Sequence, residues 1–92
     1  MEDLIGFINN NIGDEETIYL CGDFNISFLE KRNHVVIKKL IENNFSQIVT
    51  KPTHNKGHLL DHIYVRNARF KLQVVHHSME WFDHDALHVI SE

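Results

Sequence analysis

The chain has 92 residues, of which 42% are hydrophobic and 24% are charged, with 9 Lys and Arg against 13 Asp and Glu and a formal charge of -4. This length and composition are typical of one small globular domain and exclude two independent ones. The one cysteine, Cys21, excludes an internal disulfide and a four-thiolate zinc site within the chain. Because the sequence begins with acidic residues and has no long apolar run, we expect an intracellular protein that does not enter a membrane.

Charge is distributed unevenly along the chain. Residues 1–30 carry seven acids and no Lys or Arg, residues 31–71 carry nine bases and two acids, and residues 72–92 carry four acids. The negative total argues against nucleic-acid binding over the whole surface, although the basic middle third could provide a local face for phosphate groups. The same bases could equally form the solvated side of a helix.

The hydrophobic pattern predicts alternating helices and strands. A short amphipathic helix is expected over residues 3–11, with Asp3 as its cap, and a continuous apolar run over 17–21 predicts a strand that is buried on both faces. The longest predicted helix covers residues 28–44, which carry apolar residues at helical spacing. The later predicted strands cover 45–50, 59–66, 70–76 and 86–90.

The order of these elements indicates an α/β fold without an internal domain boundary. A strand, a crossover helix and a second strand favour a parallel pair, to which the later strands would add antiparallel neighbours. The sequence therefore predicts a mixed sheet with helices on one face.

Three polar clusters lie where predicted strands end or run. Asp23 and Asn25 follow the first strand directly, Asp61 lies in an otherwise apolar strand, and residues 83–85 read Asp-His-Asp. Open sheets bind ligands at the carboxyl ends of their strands, and a carboxylate in an apolar strand needs a partner. Taken singly, each cluster also fits a structural role as a turn, a buried hydrogen-bonded group or a solvated loop.

Taken together and in this order, the clusters resemble the endonuclease/exonuclease/phosphatase superfamily of magnesium-dependent phosphodiesterases. Residues 18–25 resemble its strand ending in Gly-Asp-Phe-Asn, residues 60–65 its Leu-Asp strand, and residues 82–87 its closing Ser-Asp-His block. Residues 51–54, with Gly57, resemble the preceding loop in copies carried by mobile elements. The resemblance covers nearly the whole chain but only the second half of the family's four-layer α/β sandwich.

The resemblance implies a role for each matching polar residue. Asp23 would orient or deprotonate the attacking water, and Asn25 would hold that water or a phosphate oxygen. His84 would bind the scissile phosphate, with Asp61 bonded to its other nitrogen, and Asp83 would complete the metal environment. Oxygen ligands with open coordination positions suit Mg²⁺ or Mn²⁺ better than zinc. DNA is the implied substrate, which extends the expected intracellular location to the nucleus.

The sequence departs from the family pattern in two ways that bear on the expected activity. Phe82 stands where the family usually has Ser. The half of the domain that supplies the principal metal-binding Glu has no counterpart, so these residues are expected to form a truncated C-terminal half that is inactive alone. The missing N-terminal half would act in cis or in trans, and without it one sheet face should be exposed. RNA, sphingolipid or inositol phosphate substrates stay open.

Two other classes of protein compete with this interpretation. One is a non-catalytic remnant of the same fold. The other is a histidine-dependent metal-binding module, because the chain has eight histidines. His54, His58 and His62 recur every fourth residue and would align on one face of a helix. Pro52 and Gly57 argue against a helix there.

Overall fold

A computed structural model describes residues 2–54, 56–78 and 83–91, with side chains from Leu4 onward. The predicted Asp3 cap and the aromatic residues Trp81 and Phe82 lie outside the described side chains. The elements in chain order are α1 (Glu2–Asn11), β1 (Ile18–Asp23), α2 (Val35–Glu42), β2 (Ser46–Gln47), β3 (Asp61–Arg66), β4 (Leu72–His77) and β5 (Ala86–Ser91).

The strands form two antiparallel sheets, one ordered β1-β3-β2 and the other β4-β5. The predicted α/β class is confirmed, but the predicted parallel pair and mixed sheet are wrong. The crossover through α2 does place β1 and β2 in the same direction, yet β3 lies between them and pairs with both. All but the first residue of β3 are buried, so the most buried strand occupies the centre of the sheet.

Both helices pack on one face of the three-stranded sheet, as the sequence predicts. Ile5 and Ile8 of α1 and Leu40 of α2 are buried together with Phe45 and Tyr64. Within the helices, Ile5 and Ile8 are three residues apart, and Val36, which packs on the same cluster, is four residues before Leu40, the spacing that gives a helix one apolar side. Neither helix in the described part of the chain has the length and apolar character needed to cross a membrane.

The second sheet covers the opposite face of the first. Successive side chains of a strand point to opposite faces, so Ile63 and Val65 point away from the helices when Tyr64 points toward them. Ile63 and Val65 are buried with Val49 and Leu59. The second sheet packs on this cluster through Leu72, Val74, Leu87 and Val89. The described residues therefore form a helix layer and two sheet layers.

The helix predicted over residues 28–44 begins only at Val35. Phe28 packs in the cluster that faces the second sheet, whereas Val36 and Leu40 pack in the cluster beneath the helices. One continuous helix cannot present neighbouring turns to both layers, so the chain first turns through residues 28–34. The His34 ring then caps α2 by accepting a hydrogen bond from the backbone N–H of Val36 at 3.2 Å.

Strand β1 is exposed on one side, which contradicts the predicted burial on both faces. Its described ladder partner is β3, and its other edge is unpaired among the described strands. Tyr19 keeps 49% of its surface exposed, and Cys21 is exposed as well. Both residues lie opposite the buried pair Val65 and Ile63 on the same sheet face. The second sheet therefore covers β3 on this face but leaves β1 open.

Candidate functional site

The antiparallel pairing of β1 with β3 brings two carboxylates together. Asp23 is the last residue of β1 and Asp61 is the first of β3, and the two residues are direct partners in the ladder. Because partners in a ladder point to the same sheet face, both side chains emerge on the face covered by the second sheet. Because the pair is antiparallel, the carboxyl end of β1 lies beside the amino end of β3, and the two carboxylates meet at the same end of the sheet.

His84 joins these carboxylates from the segment that precedes β5. Its Nδ1 atom lies 2.6 Å from Oδ2 of Asp61, and its Nε2 atom lies 3.8 Å from Oδ2 of Asp23. One ligand atom from each of the three side chains lies within 4.8 Å of the others. A carboxylate can only accept, so Nδ1 of His84 carries the proton that it donates to Asp61. The Nε2 atom is left facing Asp23 and solvent.

The charge of His84 is controlled by its acidic neighbours. The hydrogen bond to Asp61 is the largest influence, and together with the negative charges of Asp61, Asp23 and Asp83 it raises the pKa of His84 above 6.5 against opposing desolvation. The side chain is 35% exposed, so solvent and salt weaken these interactions. A raised pKa increases the fraction of imidazolium near neutral pH, which favours contact with an anion.

Asn25 and Asp83 lie beside this group but not within it. The backbone N–H of Asn25 donates to Oδ1 of Asp23 at 2.8 Å, and a φ of 52° at Asn25 turns the chain sharply after β1. The Asn25 side chain lines a neighbouring cleft of about 390 Å³ with Ser27, Lys31 and His58. Asp83 is exposed and directly precedes His84. Its predicted metal-binding role stays a prediction.

The loop before β3 holds the site together, a part that sequence reasoning assigned to no residue. Thr53 is 1% exposed, and its Oγ1 atom accepts from the backbone N–H groups of Leu60 and Asp61 at 3.1 Å each. Its carbonyl accepts from the N–H of Asp85 at 2.7 Å. Thr53 therefore connects the start of β3 to the segment carrying His84. The signal in the sequence was the resemblance of residues 51–54 to the family loop, which gave no role to Thr53.

A second imidazole–carboxylate pair lies next to the first. Nδ1 of His76 donates to Oδ2 of Asp85 at 3.2 Å, and both side chains are mostly buried. Asp85 also lines a cleft of about 390 Å³ together with the carboxylates Asp23 and Asp61 and the apolar residues Leu87 and Val89. The candidate site therefore lies in a groove that is lined by both acidic and apolar residues.

His62 supports the site from the helix side of the sheet. Its Nε2 atom lies 2.7 Å from the carbonyl oxygen of Ile26 and 3.1 Å from that of Leu59, so this nitrogen donates. Nδ1 then accepts from the Tyr64 hydroxyl at 2.8 Å, and the Phe24 ring stacks on the imidazole at 4.8 Å. Burial lowers the pKa of His62 and raises the pKa of Tyr64 to about 12. The bonds to Ile26 and Leu59 fix the loop that follows Asp23.

The proposed zinc face of His54, His58 and His62 does not form. His54 makes an isolated bridge with His84, His58 lies outside the helices and strands, and His62 is a buried strand residue. Both ring nitrogens of His62 already have partners within the protein. The three rings therefore do not converge, because Gly57, with a φ of 84°, turns the chain where a helix would have to continue.

Comparisons with protein-family models, curated proteins and solved structures found no match to this chain.

Proposed function

We propose that these residues form part of a metal-dependent phosphodiester hydrolase of endonuclease type that acts on DNA. The observation that carries the proposal is the alignment of Asp61, His84 and Asp23, with the Asp61–His84 bond at 2.6 Å and Nε2 of His84 facing Asp23. The sequence motifs that resemble the nuclease superfamily lie far apart in the chain, and the fold brings their charged residues to one groove. This convergence favours a shared chemical role over three unrelated turns.

The proposed roles come from the superfamily resemblance and are supported by the positions of the side chains. Asp61 holds the His84 ring, and the protonated Nε2 donates a hydrogen bond to a phosphate oxygen as negative charge develops there. Asp23 accepts a proton from the attacking water, whose oxygen forms a bond to phosphorus while the bond to the leaving oxygen breaks. Asn25, two residues beyond Asp23, would orient that water or the phosphate.

A divalent cation fits the donor set of this groove. Asp23 and Asp61 offer carboxylate oxygens in this groove, and the superfamily resemblance adds the exposed Asp83 to them. Oxygen ligands of this kind suit Mg²⁺ or Mn²⁺. When bound, the ion would neutralise phosphate oxygens during the reaction. The superfamily resemblance assigns this role first to Asp83.

The uncovered side of β1 supports a further requirement, the N-terminal half of the domain. Tyr19 and Cys21 are exposed, and Cys21 lines the groove that also contains Leu87 and Val89. The outer edge of β1 has no described partner. A second half, in the same polypeptide or in another chain, would cover this face and supply the missing metal-binding Glu. The 92 residues alone would then be inactive. A protein that acts on DNA would be intracellular, and its location would include the nucleus.

Plasmid nicking tests this proposal. The chain is assayed alone and within the reading frame that includes sequence upstream of Met1, with Mg²⁺, Mn²⁺ or EDTA. We expect cutting only by the longer protein with metal, and a loss of at least about 100-fold in Asp23→Ala and His84→Ala. His77→Ala, on the exposed side of β4, is the matched control.

Two outcomes would contradict the proposal. Equal cutting by the wild-type protein and both site variants would remove the assigned roles. An in-frame stop directly before Met1, with no activity in the presence of any added partner half, would favour a non-catalytic remnant of the fold.

A further inference from the structure

We propose that His54 is a positioning residue for His84. The His54 ring meets the His84 ring at an angle of 84° with a centroid distance of 4.9 Å, and the two residues form a backbone bridge. This inference rests on the proposed function in that it assigns a task to His54 within the same site. It goes further because the resemblance, which includes His54 in the loop of residues 51–54, assigns this residue no role.

A single hydrogen bond does not fix an imidazole ring completely. The bond from Nδ1 of His84 to Asp61 sets one direction, but the ring can still rock about that bond because its side chain is 35% exposed. An edge-to-face contact with a second ring opposes this rocking, since such contacts have a preferred angle. The His54 contact therefore helps to keep Nε2 of His84 directed toward Asp23.

His54 is itself held by the turn that it begins. Its Nδ1 atom accepts from the backbone N–H of Lys56 at 3.2 Å, its backbone N–H donates to the carbonyl of His58, and its carbonyl accepts from the N–H of Gly57. The accepting Nδ1 leaves the proton of the neutral ring on Nε2. A ring anchored in this way can act as a fixed wall for His84. The neighbouring Thr53 is buried and holds the same segment to Asp61 and Asp85.

The test follows the Nδ1 proton of His84 by NMR in the ¹⁵N-histidine-labelled chain. We expect His54→Ala to speed exchange of this proton with water by roughly three- to tenfold, the range that loss of an edge-to-face contact corresponds to. His54→Phe keeps an aromatic ring against His84 but lacks the acceptor for Lys56, so its exchange rate should lie between those of the wild type and His54→Ala. His58→Ala is the matched control. The centroid of the His58 ring lies 6.5 Å from that of His54, and the His58 ring has no described contact with His84.

The Nε2 proton of His62 is the internal reference, since it is buried on the other sheet face. An unchanged His84 exchange rate in His54→Ala would overturn the proposal. Equal acceleration at His62 and His84 would also overturn it, because His54 would then act on global stability. If His54→Ala does not fold, His54→Leu, which has a side chain without a ring, decides by the same criteria.

The NMR exchange measurement does not depend on DNA cutting, so it tests the role of His54 even if the proposed function is wrong. If the longer protein does cut DNA, His54→Ala should lower kcat by about three- to tenfold with KM unchanged. His54→Phe should restore part of the loss. A change confined to KM would contradict a positioning role.

Discussion

The Nδ1 atom of His84 lies 2.6 Å from Oδ2 of Asp61, although 23 positions separate the two residues in the chain. Asp61 begins β3 in the first sheet, and His84 lies just before β5 in the second. Their hydrogen bond therefore connects the two sheets at the mouth of the groove between them. It follows that the geometry of the candidate site and the packing of the sheets depend on each other.

Replacement of Asp61 by Asn should lower the pKa of His84. The substitution weakens the hydrogen bond that contributes most to the raised pKa, because an amide is a weaker partner than a carboxylate, and it also removes the negative charge of Asp61. NMR titration of the His84 ring protons should show the pKa falling toward 6.5, its ordinary value. Asp14→Asn, at an exposed position in the loop before β1, should leave the titration unchanged. An unaltered His84 titration in Asp61→Asn would rule out this origin of the shift.

The His84–Asp61 pair should stabilise the fold more at acidic than at alkaline pH. Because folding raises the pKa of His84, its contribution is complete below about 6.5, the pKa expected in the unfolded chain, and disappears as pH rises through the folded value. With the side chain 35% exposed, we expect at most about 1 kcal/mol. Urea unfolding of wild type and His84→Ala at two pH values measures this. A larger difference at pH 9 than at pH 6 would contradict the sign.

The sequence predicts the local elements better than their arrangement. The apolar run over residues 17–21 does lie largely within a strand, β1, but a run of apolar side chains cannot show whether this chain will cover both faces of the strand. The predicted helix over 28–44 fails for a related reason, since Phe28 and Leu40 belong to different layers. Helical spacing records which residues are apolar and carries no information about the cluster that each will join.

The sequence likewise predicts some residues of the candidate site and not others. The resemblance implied a bond between Asp61 and His84, and the structure contains it. The supporting residues Thr53 and His54 act through backbone hydrogen bonds, an isolated bridge and a ring contact. None of these leaves a periodic or spaced pattern in the sequence. These contacts depend on how the loop before β3 packs on the segment before β5, which is a property of the folded chain.

Tyr64→Phe should destabilise the protein by about 1 kcal/mol. The Tyr64 hydroxyl donates to Nδ1 of the buried His62, and its removal leaves that acceptor without its partner. The free energy of unfolding from urea titrations measures the effect. Tyr19→Phe, on the exposed side of β1, is the control and should change stability by less than about 0.5 kcal/mol. Equal effects of the two substitutions would contradict the buried hydrogen bond.

Arg66→Lys should cost about 1–2 kcal/mol, even though it keeps the charge. The Arg66 side chain is 9% exposed, its guanidinium lies 5.0 Å from the centre of the Phe45 ring, and Nη1 donates to Oδ1 of Asn9 at 2.9 Å. A lysine ammonium cannot reproduce the planar stacking and this donor at once. Arg69→Lys, at an exposed position beyond β3, should be nearly neutral. Stability unchanged in Arg66→Lys would show that only charge is needed there.

Two glycine-to-alanine substitutions should have opposite effects on stability. Gly57 has a φ of 84°, where an alanine is strained whatever the surrounding space, so Gly57→Ala should destabilise by about 1 kcal/mol. Gly6 lies inside α1, and a Cβ built there meets nothing within 4 Å. Gly6→Ala should therefore stabilise by about 0.5–1 kcal/mol through the lower entropy of the unfolded chain.

Thermal and urea unfolding of the two glycine variants measure whether each substitution raises or lowers the free energy of unfolding. The turn at Gly57 also carries His54, so Gly57→Ala should speed exchange of the Nδ1 proton of His84, whereas Gly6→Ala should slow it or leave it unchanged. The reverse pattern would mean that the turn does not hold the site. A stabilising Gly57→Ala would place this residue outside the left-handed region in solution and would remove the reason for a turn between His54 and His58.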